Sequence, residues 1–164
     1  MLVKFLRQSA IAAGVLLLLR LWLGWSWLTS GWGKALGEER FDASGYLHGA
    51  VQDPVTNQAG EVAYPWYVAF IEYVALPLSS VFSFMVAWGE IFVGVGLILG
   101  ILTVYAAFFG ATMNFAFLFA GTISTNPIML LAAFFLIAAG HNGGWFGGDR
   151  YIQPKLQHWV KRTS

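Results

Sequence analysis

Apolar residues fill four stretches of this chain, and polar residues gather between the first and second and beyond the last. About 20 apolar residues cross a bilayer as a helix. The runs at 8–33, 82–102, 105–120 and 127–140 therefore read as four membrane spans, the last two short. Lys4 and Arg7 precede the first run as in a secretory leader, but the run continues to Trp32 without a small-residue cleavage site. It reads as a retained span. The pattern predicts an all-α fold, an integral membrane four-helix bundle forming a single domain over 1–164, with a helical, aromatic segment at 34–80 outside it.

That outer segment has structure of its own. Asp42 reads as the cap of a helix over 43–51, and residues 54–60 read as a turn-rich loop. The run Tyr64-Pro-Trp-Tyr-Val-Ala-Phe-Ile-Glu-Tyr holds five aromatics in ten residues, and Pro65 suits a first helical turn. It serves either as an interfacial anchor or as a lid over the outer mouth of the bundle. After Gly147-Gly148, Asp149 reads as the cap of a tail helix. Ile152, Leu156, Trp159 and Val160 fall there at helical spacing among Lys155, Lys161 and Arg162, which suits a surface-lying amphipathic tail over 149–162.

Charge supplies the orientation. Lys4, Arg7, Arg150, Lys155, Lys161 and Arg162 flank the termini against Asp149. The segment between the first two spans carries Glu38, Glu39, Asp42, Asp53, Glu61 and Glu72 against Lys34 and Arg40. Positive residues favour the cytoplasmic side. Both termini are expected in the cytoplasm of a multi-pass plasma-membrane protein, in contact with membrane lipid.

Composition agrees: 58% of the residues are hydrophobic and 10% are charged, against about 25% charged in soluble proteins. A net charge of +1 gives no basis for nucleic-acid binding. The chain has no cysteine, which removes disulfides, thiolate chemistry and Cys-ligated clusters from it. The residues show no metal-spaced, haem or flavin motif, and no two histidines fall at mid-membrane.

Two opposite charges interrupt the spans, Arg20 in the first and Glu90 in the second. A mid-bilayer charge costs about 2.5–3.5 kcal/mol on insertion scales, so such residues face the interior, find partners and mark functional sites. Arg20, Gly24, Trp27 and Gly31 share a face, as do Glu90, Gly94 and Leu97. At 1.5 Å per residue, Arg20 lies about 18 Å and Glu90 about 14 Å below the outer ends of their spans. The pair is expected to meet as the catalytic, polar end of a pocket, or as a lock on helix register. Asn114 near mid-membrane and Asn142 nearer the inner surface extend a polar column. A quinone needs an apolar aromatic slot with polar groups at its carbonyls. Trp22, Trp25, Trp27, Trp88 and Phe92 are candidates for the slot, with Trp66 and Tyr67 in the lid. Glu90 would relay protons, and Arg20 would steady developing negative charge.

These residues resemble a known family. Arg20-Leu-Trp-Leu-Gly-Trp with Gly31-Trp-Gly-Lys34, and Gly89-Glu90-Ile-Phe-Val-Gly-Val-Gly-Leu-Ile-Leu-Gly100, are similar to the DoxX/DoxD membrane proteins. Phe109-Gly-Ala-Thr-Met-Asn114, Ser124-Thr-Asn-Pro127, Ala139-Gly-His-Asn-Gly and Asp149-Arg-Tyr extend the resemblance over nearly the whole chain. It implies a four-helix membrane fold and a thiosulfate:quinone oxidoreductase-type activity producing tetrathionate. Quinone would be the acceptor, and a partner redox protein would be associated. Two other classes fit the same residues: a non-catalytic membrane scaffold of a redox or detoxification complex, and a small-solute carrier. The absence of broken-helix repeats disfavours the carrier.

Overall fold

A computed structural model describes residues 1–39, 41–152 and 154. The described residues are helical apart from turns and one isolated bridge between Thr56 and Val62. Helix α1 (Leu2–Gln8) is followed by α2 (Ala10–Leu36), α3 (Ala43–Gln52) and α4 (Pro65–Phe70), which runs into a π-helical turn at Ile71–Ala75. Then come α5 (Ser79–Leu99), α6 (Thr103–Phe119), α7 (Asn126–Ala139) and a 3-10 turn at Gly140–Gly144.

The four apolar runs correspond to α2, α5, α6 and α7. Among the described residues, three stretches are long and apolar enough to cross a membrane: α2, α5, and α7 with its 3-10 extension. Helix α6 is apolar but has only 17 residues. Helix α2 packs on α5 and α7, and α6 packs on α5 and α7. Leu23, Trp27, Leu97, Ala107, Ala133 and Leu136 lie in the shared core. The outward faces are just as apolar, with Ile11, Leu18 and Trp25 of α2, Phe84 and Phe92 of α5, and Phe108 and Leu131 exposed. Apolar surface on both sides of a helix suits a hydrocarbon solvent rather than water.

Several local signals act as the sequence suggests. The Asp42 carboxylate accepts from the Ser44 backbone N–H at 2.9 Å and caps α3. Pro65 opens α4. Gly100 ends α5 in the left-handed region at φ +63. One helix has no counterpart in the sequence reading. Residues 2–8 form a helix separate from the first span, because the Ser9 hydroxyl accepts from the Ala12 N–H at 3.3 Å and starts α2 afresh.

Glycines fix how α2 meets α5. A Cβ on Gly94 would stand 2.6 Å from the Leu28 nitrogen, and one on Gly31 would stand 2.7 Å from the Ile91 nitrogen. The two backbones are therefore in direct contact, antiparallel, with Gly24 and Gly31 against Gly94 and its neighbours. This contact sets the register on which the buried charges depend.

At the other end of α5, the chain after α7 closes the turn between α5 and α6. The Gly148 and Asp149 N–H groups donate to the Leu99 and Gly100 carbonyls at 3.0 and 2.7 Å. The Asp149 carboxylate, fully buried, accepts from the Leu102 and Thr103 N–H groups at 2.7 and 2.9 Å. It therefore caps α6 rather than a tail helix. Leu102 has φ 52, a conformation costly for a β-carbon-bearing residue, and the carboxylate helps hold it there. The expected amphipathic tail over 149–162 is helical at 149–152; most of the rest, residues 153 and 155–164, lies outside the described residues.

Candidate functional site

The face of α2 that carries Arg20, Gly24, Trp27 and Gly31 continues, one step of three residues further, to Lys34. Its ammonium donates to both oxygens of Glu90 at 2.7 and 2.6 Å, and to the Ser30 hydroxyl at 2.8 Å. Glu90 is 1% exposed and the Lys34 side chain 25%. Phe41 lies beneath the ammonium, 5.7 Å from nitrogen to ring centre, within cation–π reach.

Arg20 and Glu90 therefore do not meet, contrary to the sequence expectation. Glu90 faces Gly31, and Arg20 lies three helical turns from Gly31, about 16 Å along α2. Depth counted from span ends misleads because α5 overhangs α2. Its first turns extend past the end of α2, where α3 packs on them. Arg20 instead serves the α5–α6 turn. Its Nη2 donates to the Phe146 carbonyl at 3.1 Å, and its guanidinium fills the space beside Gly100 and Gly147 that side chains would need. Asp149 is the opposite charge that acts on it.

A cavity of about 370 Å³ lies beside Lys34. Its walls are Phe82 and Val86 of α5, Ala116 and Phe117 of α6, and Leu47, Phe70 and Ile71 of the 34–78 segment. Two tyrosines tie that segment to α6 and to the turn that follows it. The Tyr67 hydroxyl donates to the Ala116 carbonyl at 2.9 Å, and Tyr46 shares a hydrogen bond with the Thr122 hydroxyl at 2.8 Å. The segment thus roofs an aromatic pocket with Lys34 in its wall. The π-helical turn lies in the roof, a form of backbone frequent at functional sites. A second space of about 570 Å³ borders Lys34 on its other side, lined by Asp42, Ser79, Ser80, Ser83 and Trp88.

The remaining expected site residues divide. Tyr67 lines the pocket; Trp66 stands outside it, 61% exposed, edge-on to Tyr67 and Phe119. Trp88 lines the polar groove and lies between Phe84 and Phe92 along α5. Trp27 and Asn114 are buried in the core. Among the described residues, the indole Nε1 and both amide atoms of Asn114 have no protein partner, which calls for water or ligand. Asn142 is not brought to the pocket: its amide donates to the Leu6 and Ser9 carbonyls at 2.7 and 3.0 Å, tying α1 to the end of α7. Among the described residues, no three His, Asp or Glu side chains are grouped to hold a metal ion.

Burial, and to a lesser extent the neighbouring Tyr46, push the Tyr67 hydroxyl up to about 12. Burial raises Tyr46 in the same direction. A group raised on folding contributes stability that is complete below its unfolded value, about 10 for tyrosine, and is lost as pH rises through its folded value. The roof should therefore loosen between about pH 10 and pH 12. Alkaline titration of the solubilised protein, followed by phenolate absorbance and by tryptophan fluorescence, should show the change in this window. Tyr67→Phe should diminish it, and an unchanged profile would remove Tyr67 from the latch.

A family model described as the TQO small subunit DoxD matches residues 15–164. No curated protein and no solved structure matches the chain.

Proposed function

The chain belongs to the DoxD family, and on that premise we propose that it is the membrane subunit of a quinone-linked oxidoreductase, with the quinone ring in the aromatic pocket beside Lys34. The single observation that carries this reading is the Lys34–Glu90 pair: a buried carboxylate paired with the lysine that lines an apolar pocket. The donor set suits a flat ring with polar edges, since aromatic walls hold the ring and a few polar groups address its oxygens. Quinone, when bound, supplies the acceptor chemistry, taking two electrons and two protons to become quinol.

The chain's own groups do the positioning. Lys34 Nζ exchanges its hydrogen bond to the Ser30 hydroxyl for one to a ring oxygen where charge develops, and stabilises it. Glu90 holds that nitrogen in place through both carboxylate oxygens, and a proton lost from it is replaced from solvent. Tyr67, Phe70 and Phe82 exclude water from the ring. Arg20 and Asp149 hold the helix ends at the far side and take no part in the chemistry.

The donor is a small sulfur anion such as thiosulfate. Joining two thiosulfates through a new S–S bond gives tetrathionate and releases the two electrons that the quinone takes up. The family's description as a small subunit supports a larger partner that binds the donor. We place the four apolar helices across the plasma membrane, with both termini cytoplasmic and the pocket near the outer surface. The charge asymmetry of the sequence supports this orientation.

Titrating a short-chain quinone into the purified protein in nanodiscs, followed by quenching of tryptophan fluorescence, tests the reading. One quinone should bind per protein. Phe70→Ala should weaken binding about tenfold, which corresponds to about 1.4 kcal/mol. A folded protein that binds no quinone, or a Phe70→Ala variant with unchanged affinity, would reject the pocket.

A further inference from the structure

Lys34 borders two spaces of opposite character. On one side is the aromatic pocket; on the other is the groove formed by Asp42 and the serines at the start of α5. Phe41 is shared between them, and Glu90 sits behind the ammonium, almost wholly buried. The groove is built rather than incidental. The Ser83 hydroxyl donates to the Ser79 carbonyl and accepts from the Ala43 N–H, each at 2.8 Å. That pins the start of α3 against α5 and fixes the groove's width. Asp42, at the groove's edge, is held below the usual carboxylate range by hydrogen bonds from Ser44, so it keeps its charge there.

A ring in an apolar pocket cannot draw protons from water that the walls exclude. A side chain that spans pocket and solvent can supply them. Among the described residues, Lys34 is the one cation that lines both spaces. We propose that the serine-lined groove is an aqueous entry through which Lys34 exchanges protons with solvent, and that Lys34 passes them to the pocket. Nζ gives up a proton on the pocket side, and groove water returns one to the free amine. Glu90 holds the nitrogen between the two spaces through its carboxylate oxygens. Ser79, Ser80 and Ser83 are positioning residues that keep water at Nζ. Only the delivery into the pocket rests on the quinone reading; exchange between groove and Lys34 stands on the geometry alone.

The chain's lack of cysteine makes a direct test possible. Ser80→Cys and, as a control on the apolar wall, Val86→Cys are made in the full chain and placed in nanodiscs. A charged, membrane-impermeant thiosulfonate reagent is then added. Ser80→Cys should react at least about tenfold faster than Val86→Cys, a barrier difference of about 1.4 kcal/mol. With lysine nitrogens isotopically labelled, solvent exchange of the Lys34 ammonium protons is then measured by NMR before and after the reaction. The Lys34→Met spectrum identifies the signal. Attaching the bulky group at Ser80→Cys should slow exchange about tenfold, again about 1.4 kcal/mol.

An unreactive Ser80→Cys in folded protein would show the groove to be dry and overturn the proposal. So would rapid reaction that leaves Lys34 exchange unchanged. Neither readout involves quinone. If both hold while the protein binds no quinone, the exchange route stands and the quinone reading fails.

Discussion

Lys34→Met should destabilise the protein far more than Glu90→Gln, although the two residues form one ion pair. The asymmetry follows from their burial: Glu90 is 1% exposed, whereas a quarter of the Lys34 side chain reaches the surface. Removing Lys34 leaves a buried carboxylate with no cation, which costs about 3–5 kcal/mol. Removing the charge of Glu90 leaves a lysine whose flexible stem can swing its ammonium into the groove. That loss should be about 1 kcal/mol, the scale of a partly exposed pair. The double variant Lys34→Met with Glu90→Gln should recover most of the difference, since neither charge is then stranded. Thermal unfolding of the three variants in one detergent measures this order. Quinone-linked turnover should fail in all three, including the stable double variant. Equal destabilisation by the two single changes would mean that the pair is not buried as described.

The second large effect lies along the seam between α2 and α5. Gly94→Ala should cost about 1–3 kcal/mol, the usual range for overpacking. The added carbon would meet backbone atoms, at 2.6 Å from the Leu28 nitrogen and 2.8 Å from the Gly24 oxygen, and backbone cannot rotate away. Gly31→Ala should behave alike, with the Ile91 nitrogen at 2.7 Å, and should also pull Glu90 from Lys34 because Glu90 Cβ lies at 2.9 Å. Gly14 and Gly33 sit in α2 as well, but a Cβ added at either would have nothing within 4 Å. Alanine at either should be neutral or stabilising by up to about 1 kcal/mol through helix propensity. Melting temperatures of the four single variants provide the check. A uniform response would mean that the helices do not touch at the glycines.

The features legible in the sequence are the local ones. Apolar run lengths locate α2, α5, α6 and α7 to within a few residues, and Asp42 and Pro65 mark real helix starts. The glycine faces are legible too, because spacing along one helix needs no knowledge of its neighbour. Register between helices is not. The polar match for Glu90 comes from Lys34, one step beyond the face that carries Arg20 and Gly31, at a position that resembles a flanking topological charge. Continuing the three-and-four spacing by one residue finds it. Asn142 and Asp149 defeat the sequence reading for a related reason. Their partners lie more than 40 residues away in the chain, at Leu6 and Ser9 and at Leu102 and Thr103. A polar side chain near a helix end suggests that it caps something, but not which helix.

The Asp149 cap also bears on how the protein is made. Helix α6 has 17 residues, begins after a left-handed Leu102, and draws its first-turn acceptor from a residue beyond α7. While the ribosome is still extending α7, the first amide groups of α6 have no carboxylate to meet. Chains are synthesised from the N-terminus at about 5–20 residues per second, so the interval is brief but real. Helix α6 should therefore settle in the bilayer only as a hairpin with α7, after α2 and α5 have already closed along their glycine seam. Chains arrested before Asp149 should leave α6 open to extraction or to proteases, whereas those released just beyond it should not.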